Sequence, residues 1–506
     1  MEALRFTSLR LTSERILLGS FEHTLWLLSP ELVLLLVGGI LLGLDALRAY
    51  WDASRWTPYV ALAGLLGAYI SVVTLWGYEG SLLGVLACDG FALAVKAMAL
   101  LATGLVVLIA SEAIRMRHGL NNGAFYALLL LSALSICLAG AARDLLVIVL
   151  AFELFGIVSY IIIGYLRDDP HTGEAAVKYF LYSAVASAMM LYGLSWFYGV
   201  AGSTSLAAIA AALGESGTAL RPLLLPPLVL MAAGFAAKVA LVPFHQWAPD
   251  VCEGTPAPVV ALFTVAPALV GFAGLTRVLV TVLPVGVSEL SVDGRTLLIT
   301  FAVLSMTAGN LVALWQGNVK RFLAYFSIAQ AGYLLVGLVA ASPRGVTAVL
   351  FSLVTCVVGN LGALAAALAL FEHTGSYEIK DYAGMHQRAP ELAWPLLLCL
   401  LSLAGLPPLA GFVGRLYLFS AAVEEGLLWL AIVGVLNSVV SLACVWKVAR
   451  VLFVAAPRDG DRLAVLPTLV VALGIAVTGV FALAIFANPI LVLLQPAAEA
   501  LVSAVP

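Results

Sequence analysis

The chain has 506 residues, 63% of them hydrophobic and only 10% charged, with a mean hydropathy of +1.09 and a formal net charge of −3. No soluble core of this size hides so much apolar surface, so the composition excludes a soluble globular enzyme and predicts an all-α polytopic membrane protein. The near-neutral charge gives no sign of a nucleic-acid partner.

In chain order, residues 1–23 place Arg5, Arg10 and Arg15 among Leu, Phe and Ile, which reads as an interfacial arm rather than a cleaved leader. Fourteen apolar segments follow, near 25–47, 57–76, 90–112, 124–141, 144–166, 176–199, 222–247, 256–283, 295–316, 321–341, 346–371, 392–421, 427–452 and 464–490. The connections are short, and the longer polar stretches near 200–221 and 372–390 have room for a turn of surface helix. Lys and Arg crowd alternate connections, fourteen on one side against seven on the other, which puts the richer side in the cytoplasm and both termini outside.

Two segments carry helix breaks. Segment seven holds Lys238 and then Pro243; segment twelve holds Pro407 and Pro408 and then Arg415. They stand five segments apart, so segments 4–8 and 9–13 read as two inverted five-helix repeats, each with a discontinuous helix. The organisation is then 1–123 (arm and helices 1–3), 124–283 (first repeat), 284–452 (second repeat) and 453–506 (helix 14 and tail).

The candidate residues are ionisable groups at membrane depth. Lysine there costs roughly 2.5–3.5 kcal/mol on insertion scales and is rarely placed without a use. Lys238 lies five residues before Pro243, on a helix that the proline breaks. Glu153 lies nine residues past Asp144, about 13–14 Å along a helix. A structural glutamate bonded to a neighbouring helix is the alternative reading for Glu153. Lys178, near the cytoplasmic start of segment six, either acts in the path or snorkels to the interface. His245 either exchanges protons or caps a loop. Arg415 fixes a field but does not give up its proton. Lys96 and Arg277, within about two turns of a segment end, read as snorkelling, and Asp250 and Glu253 as loop residues.

Other chemistry has no support in the sequence. The six cysteines are scattered, with no CxxC pair and no metal spacing. No GxxxxGK[ST] and no strand-borne GxGxxG occurs, so neither ATP nor NADH is expected to bind here. No cofactor is expected in this chain, and energy must come from an ion gradient or a partner.

Five stretches then carry a resemblance: RDLLVIVLAFELFGIVSYIIIGY, EAAVKYFLYSAVASAMMLYGLSWFYG, GFAAKVALVPFHQWAPDVCEGTPAPV, NVKRFLAYFSIAQAGYLLVGL and LSLAGLPPLAGFVGRLYLF. Together they cover segments 4 to 13 and resemble the antiporter-like subunits of respiratory complex I, which are related to Mrp-type cation/proton antiporters. PPLAGFVGR is most similar to the N-type group. The resemblance implies fourteen helices with two inverted repeats, and proton translocation driven by quinone reduction in other subunits of the enzyme. It implies other membrane-arm subunits as partners, NADH and quinone handled elsewhere, and a multi-pass location in the cell membrane. It carries the family's segment-five glutamate onto Glu153, its segment-six lysine onto Lys178 and its segment-seven lysine onto Lys238. The mechanism it implies is electrostatic: a change in the pairing of Glu153 with Lys178 alters how strongly Lys238 holds its proton. Two positions depart: Pro267 stands where the N-type group has a segment-eight lysine, and Arg415 where lysine is usual. Gln330 fills a site where many relatives have histidine, though the plastid-type subunit resembles this chain there. A stand-alone or Mrp-type Na+/H+ antiporter, and a structural subunit without a complete proton path, are the alternative expectations.

Overall fold

The computed structural model describes residues 24–47, 56–116, 123–165, 169–216, 221–282, 289–457 and 467–503. The N-terminal arm with Arg5, Arg10 and Arg15 lies outside the described residues. Twelve helices among those described are long and apolar enough to cross a membrane. The chain runs α1 (Ser29–Ala46), α2 (Thr57–Thr74), a small hairpin of β1 (Gly80–Leu82) and β2 (Leu86–Cys88), α3 (Gly90–Met116), α4 (Gly123–Ala141), α5 (Leu145–Ile163) and α6 (Pro170–Ala201). Then come α7 (Leu206–Ser216), α8 (Arg221–Lys238), α9 (Trp247–Gly254), α10 (Ala257–Phe263) and α11 (Ala266–Val282). The second half holds α12 (Glu289–Trp315), α13 (Val319–Ala340), α14 (Pro343–Thr374), α15 (Pro390–Ala404), α16 (Ala410–Glu424) and α17 (Leu428–Phe453). α18 (Pro467–Ile485) and α19 (Ala487–Ser503) close the chain.

Local chemistry sets several helix ends. Asp144 caps α5 by accepting from Leu146 N at 2.8 Å, and its other oxygen accepts from the Thr204 hydroxyl at 2.6 Å. Asn318 and Ser342 cap α13 and α14 in the same way. α15 ends at Gly405, whose φ of +80° suits a residue without a Cβ.

The two breaks expected from proline are present. The expected segment 222–247 is α8, an irregular stretch with Ala240 at φ +60°, and then α9. The expected segment 392–421 is the pair α15 and α16, parted by Gly405–Leu409. A third interruption was not foreseen: segment eight divides into α10 and α11 around Thr264 and Val265, with Pro267 in the first turn of α11, where a missing N–H is harmless. α7 fills the polar stretch near 206–216, and a 3-10 turn at Ile379–Tyr382 with a one-turn helix at Met385–Arg388 fills the other. The hairpin and α19 went unforeseen.

Close approach of α6 and α8 positions the site. A Cβ on Gly234 would meet Ala186 O at 2.8 Å and Met190 Cβ at 2.6 Å, and one on Gly193 would meet Pro227 O at 2.6 Å. Only glycine lets these backbones approach so closely.

Two cations expected to snorkel do not. Lys96 is 2% exposed and pairs with Glu31 of α1 at 2.7 Å. Arg277 is 3% exposed, holds both oxygens of Asp89 at 2.7 and 2.8 Å, and donates to Gly140 O at 2.9 Å. Burial alone would push the Asp89 carboxyl up, but the Arg277 guanidinium and the Ala92 N–H hold it below the usual carboxylate range. A charge with a bidentate partner inside the protein has no reason to reach for the interface.

Candidate functional site

The first cluster forms where α5, α6 and α8 meet. Lys238 is the last residue of α8, just ahead of the break, and is 5% exposed. Its Nζ donates to Ser183 Oγ of α6 at 2.9 Å and lies 3.5 Å from Glu153 Oε1 of α5. The same carboxylate oxygen accepts a short hydrogen bond from Ser187 Oγ. Ser183 and Ser187 sit four apart and so face one way on α6. The Glu153 side chain is one-third exposed while that of Lys238 is 3% exposed, so the pair reaches from the interior to the rim of the chain.

The break leaves few loose ends. Val242 N donates to Ser305 Oγ of α12 at 3.0 Å, and Trp247 Nε1 to Ala237 O at 2.9 Å. His245 lies between the broken ends with its ring 6.3 Å from that of Tyr325 and its buried Nδ1 without a partner.

Lys178 is elsewhere. Its Nζ pairs with Glu174 at 2.7 Å and Asp250 at 3.2 Å, and its side chain is 44% exposed. The expected Glu153–Lys178 pair is therefore corrected: Glu153 pairs with Lys238. The reason is helical phase, since Lys178 precedes Ser187 by nine residues, two and a half turns, and projects from the opposite face of α6. Asp250 and Glu253, expected in a loop, belong to α9 and make ion pairs. Both meet Arg321 of α13, and Lys320 donates to Glu253 O at 2.6 Å and Thr255 O at 2.9 Å. Lys178, Arg321 and Lys320 thus hold α9 from two sides.

The second cluster surrounds the break between α15 and α16. Arg415, 5% exposed, donates to Leu403 O and Ala404 O, each at 2.6 Å. Those carbonyls end α15 and have no partner inside their own helix. The guanidinium also lies 4.0 Å from the Tyr333 ring centroid, a cation–π contact. Gln330 donates to Leu403 O at 2.8 Å. A cavity of about 20 Å³ beside Arg415, Gln330 and Ser352 has room for one water. Arg415 Nε and Ser352 Oγ are buried there without partners.

The sequence reading named Glu153, Lys238, Arg415 and Gln330 but missed Ser183, Ser187 and Tyr333. Two serines four apart, with only apolar residues between them, were the available signal. Among the described residues no group of three or more His, Cys, Asp or Glu could hold a metal ion.

The model of the NADH:quinone oxidoreductase/Mrp antiporter transmembrane family matches residues 142–441. NADH-quinone oxidoreductase subunit N of Moorella thermoacetica is 40% identical over 467 residues, covering 92% of this chain and 96% of that protein. The chain belongs to this antiporter family. A chain of respiratory complex I from Thermus thermophilus superposes with a TM-score of 0.76 at 30% identity, over 91% of this chain and 98% of that one. A chain of the Mrp complex from Dietzia sp. shares the fold, with a TM-score of 0.78 at 20% identity over 95% of this chain and 97% of that one. The family match spans both broken helices and all six candidate residues: Glu153, Lys178, Lys238, His245, Gln330 and Arg415. It leaves out α1–α4, with Glu31 of α1, Lys96 of α3 and Asp89 just ahead of α3.

Proposed function

We propose that this chain is an N-type membrane-arm subunit of a proton-translocating NADH-quinone oxidoreductase, working beside other antiporter-like subunits and holding no cofactor itself. The Glu153–Lys238 pair at the end of a broken helix carries this reading. An opposite charge beside a buried amine favours its protonated form, and withdrawing that charge favours the neutral form. Glu153 reaches the rim of the chain, where a neighbouring subunit could draw its charge away or return it. Each such cycle lets Lys238 release and regain a proton, with water entering through the irregular stretch before α9.

The same reading takes the twelve long spans, α10 and α11 counting as one, together with α8–α9 and α15–α16 as fourteen crossings. It takes α4–α11 and α12–α17 as two inverted repeats, and puts both termini on the outer side by the distribution of positive charge. Lys178 tunes the site from the cytoplasmic end through Asp250, whereas Lys238 carries the proton. Arg415 serves as a fixed charge in the second repeat. Pro267 leaves α11 without a lysine, which favours a proton path confined to the first repeat.

Isolation through a tag on this chain is expected to bring down NADH- and quinone-handling subunits, and vesicles of that complex should acidify when quinone is reduced. Recovery without redox subunits, together with Na+/H+ exchange in vesicles, would replace this reading with the Mrp-type one. Lys178→Ala is expected to leave assembly intact and lower the proton-to-electron ratio less than two-fold. Solvent screens exposed ion pairs such as its own, so they add little to stability. A loss as large as that from replacing Lys238 would make Lys178 a carrier instead.

A further inference from the structure

A second buried Glu–Lys pair stands outside the matched family region. Glu31 and Lys96 lie 2.7 Å apart, 5% and 2% exposed, and join α1 to α3. Glu31 Oε2 is buried and has no hydrogen-bond partner. Nearby, a cavity of about 570 Å³ opens where α3 and α5 begin and α11 ends, lined among others by Glu79, Cys88, Asp89, Arg143, Ser205 and Arg277. That space is polar and roomy enough for many waters.

Position along the chain brings the two features together. Cys88 lines the cavity, and Lys96 follows it by eight residues, within the first two turns of α3; Gly80, also in the lining, lies against Leu27, four residues before Glu31. Burial pushes the Cys88 thiol up, and the charges of Lys96 and Glu31 both act on it. On the inner side, α3 packs against α10 and α11, the two parts of the interrupted helix that bears Pro267. Thr103, 1% exposed, follows Lys96 by seven residues and so shares its face of α3, about 10 Å deeper.

We infer that Glu31 and Lys96 form an outer proton-release pair that empties into the cavity in front of Asp89 and Arg277. The Lys96 ammonium gives a proton to the Glu31 carboxylate, leaving a neutral amine and a carboxylic acid. The acid passes that proton to cavity water, and the amine is reprotonated by water from the inner side. Arg277 keeps Asp89 ionised and so holds a negative charge at the exit. This inference rests on the proton-translocating reading, and gives the first repeat its own way out where Pro267 interrupts the route toward the second.

The test uses the assembled complex in vesicles, comparing Glu31→Gln, Lys96→Met, the double variant Glu31→Gln/Lys96→Met and, in parallel, Glu153→Gln. The double variant leaves no unpaired buried charge and is expected to assemble better than either single one. Its proton-to-electron ratio, per assembled complex, is expected to fall by at least as much as that of Glu153→Gln. A normal ratio in the double variant overturns the inference and makes the pair a structural tie between α1 and α3. If Glu153→Gln lowers the ratio in the same experiment, only the outer branch fails; if Glu153→Gln is also normal, the central reading fails with it. Should the double variant not assemble, Ser205→Cys in the otherwise native complex decides. Its modification from the outer side by a membrane-impermeant thiol reagent should lower the ratio, and an unchanged ratio overturns the inference.

Discussion

Lys238→Met is expected to abolish the proton translocation carried by this chain while the complex still assembles. The proton-to-electron ratio should drop to the value supplied by the other subunits. Methionine fills the space of the lysine stem, and Ser183 can turn its hydroxyl elsewhere on α6. The charge left behind, Glu153, keeps its hydrogen bond from Ser187. The converse change is harsher. Glu153→Ala leaves the Lys238 ammonium, 3% exposed at its side chain, without its carboxylate. Breaking a buried pair this way costs about 3–5 kcal/mol. Glu153→Ala should therefore lower both the yield of assembled complex and the ratio, whereas Glu153→Gln, which still accepts hydrogen bonds, should lower mainly the ratio. Vesicle acidification per electron, set against the amount of assembled complex, separates these outcomes. A normal ratio in Lys238→Met would take the lysine out of the path.

Arg415→Gln is expected to weaken assembly and lower the ratio together, while Arg415→Lys keeps most of both. The guanidinium supplies donors to two carbonyls freed by the break, and only Leu403 O has a second donor, from Gln330. Loss of the Ala404 contact leaves that buried carbonyl without its arginine donor, a cost of about 1–3 kcal/mol. Glutamine also removes the charge over the Tyr333 ring. Lysine retains the charge and can reach one carbonyl, though not both in the planar fork of arginine. Thermal unfolding of the purified complex reads the first effect and proton pumping the second. If Arg415→Gln destabilises the complex yet pumps at the native ratio, Arg415 is only a brace for the broken helix.

The apolar runs and the prolines made most of the helical architecture legible. Pro243 and the Pro407–Pro408 pair announced their breaks because proline removes a donor that a helix in lipid cannot lose unnoticed. The interruption at Thr264–Val265 gave no such notice, since Pro267 sits in a first turn, where it is tolerated. Depth along the chain also misled for Lys96 and Arg277. Their partners Glu31 and Asp89 belong to remote stretches of sequence, and no local pattern shows that folding will bring the charges together. Lys178 illustrates a different error: its phase on α6 turns it toward Asp250 and away from Glu153.

The bonds between the two halves bear on how such a chain can change over generations. The free N–H at the first break is taken up by Ser305 of α12, and α9 is held by Lys320 and Arg321 of α13. Donor and acceptor thus lie on opposite sides of any cut near residue 284. A hybrid joining the front of this chain to the back of a distant relative would inherit half of each bond. Recombination at that point should fail more often than recombination inside either half, and the two must drift together, each substitution at one face selecting its counterpart at the other.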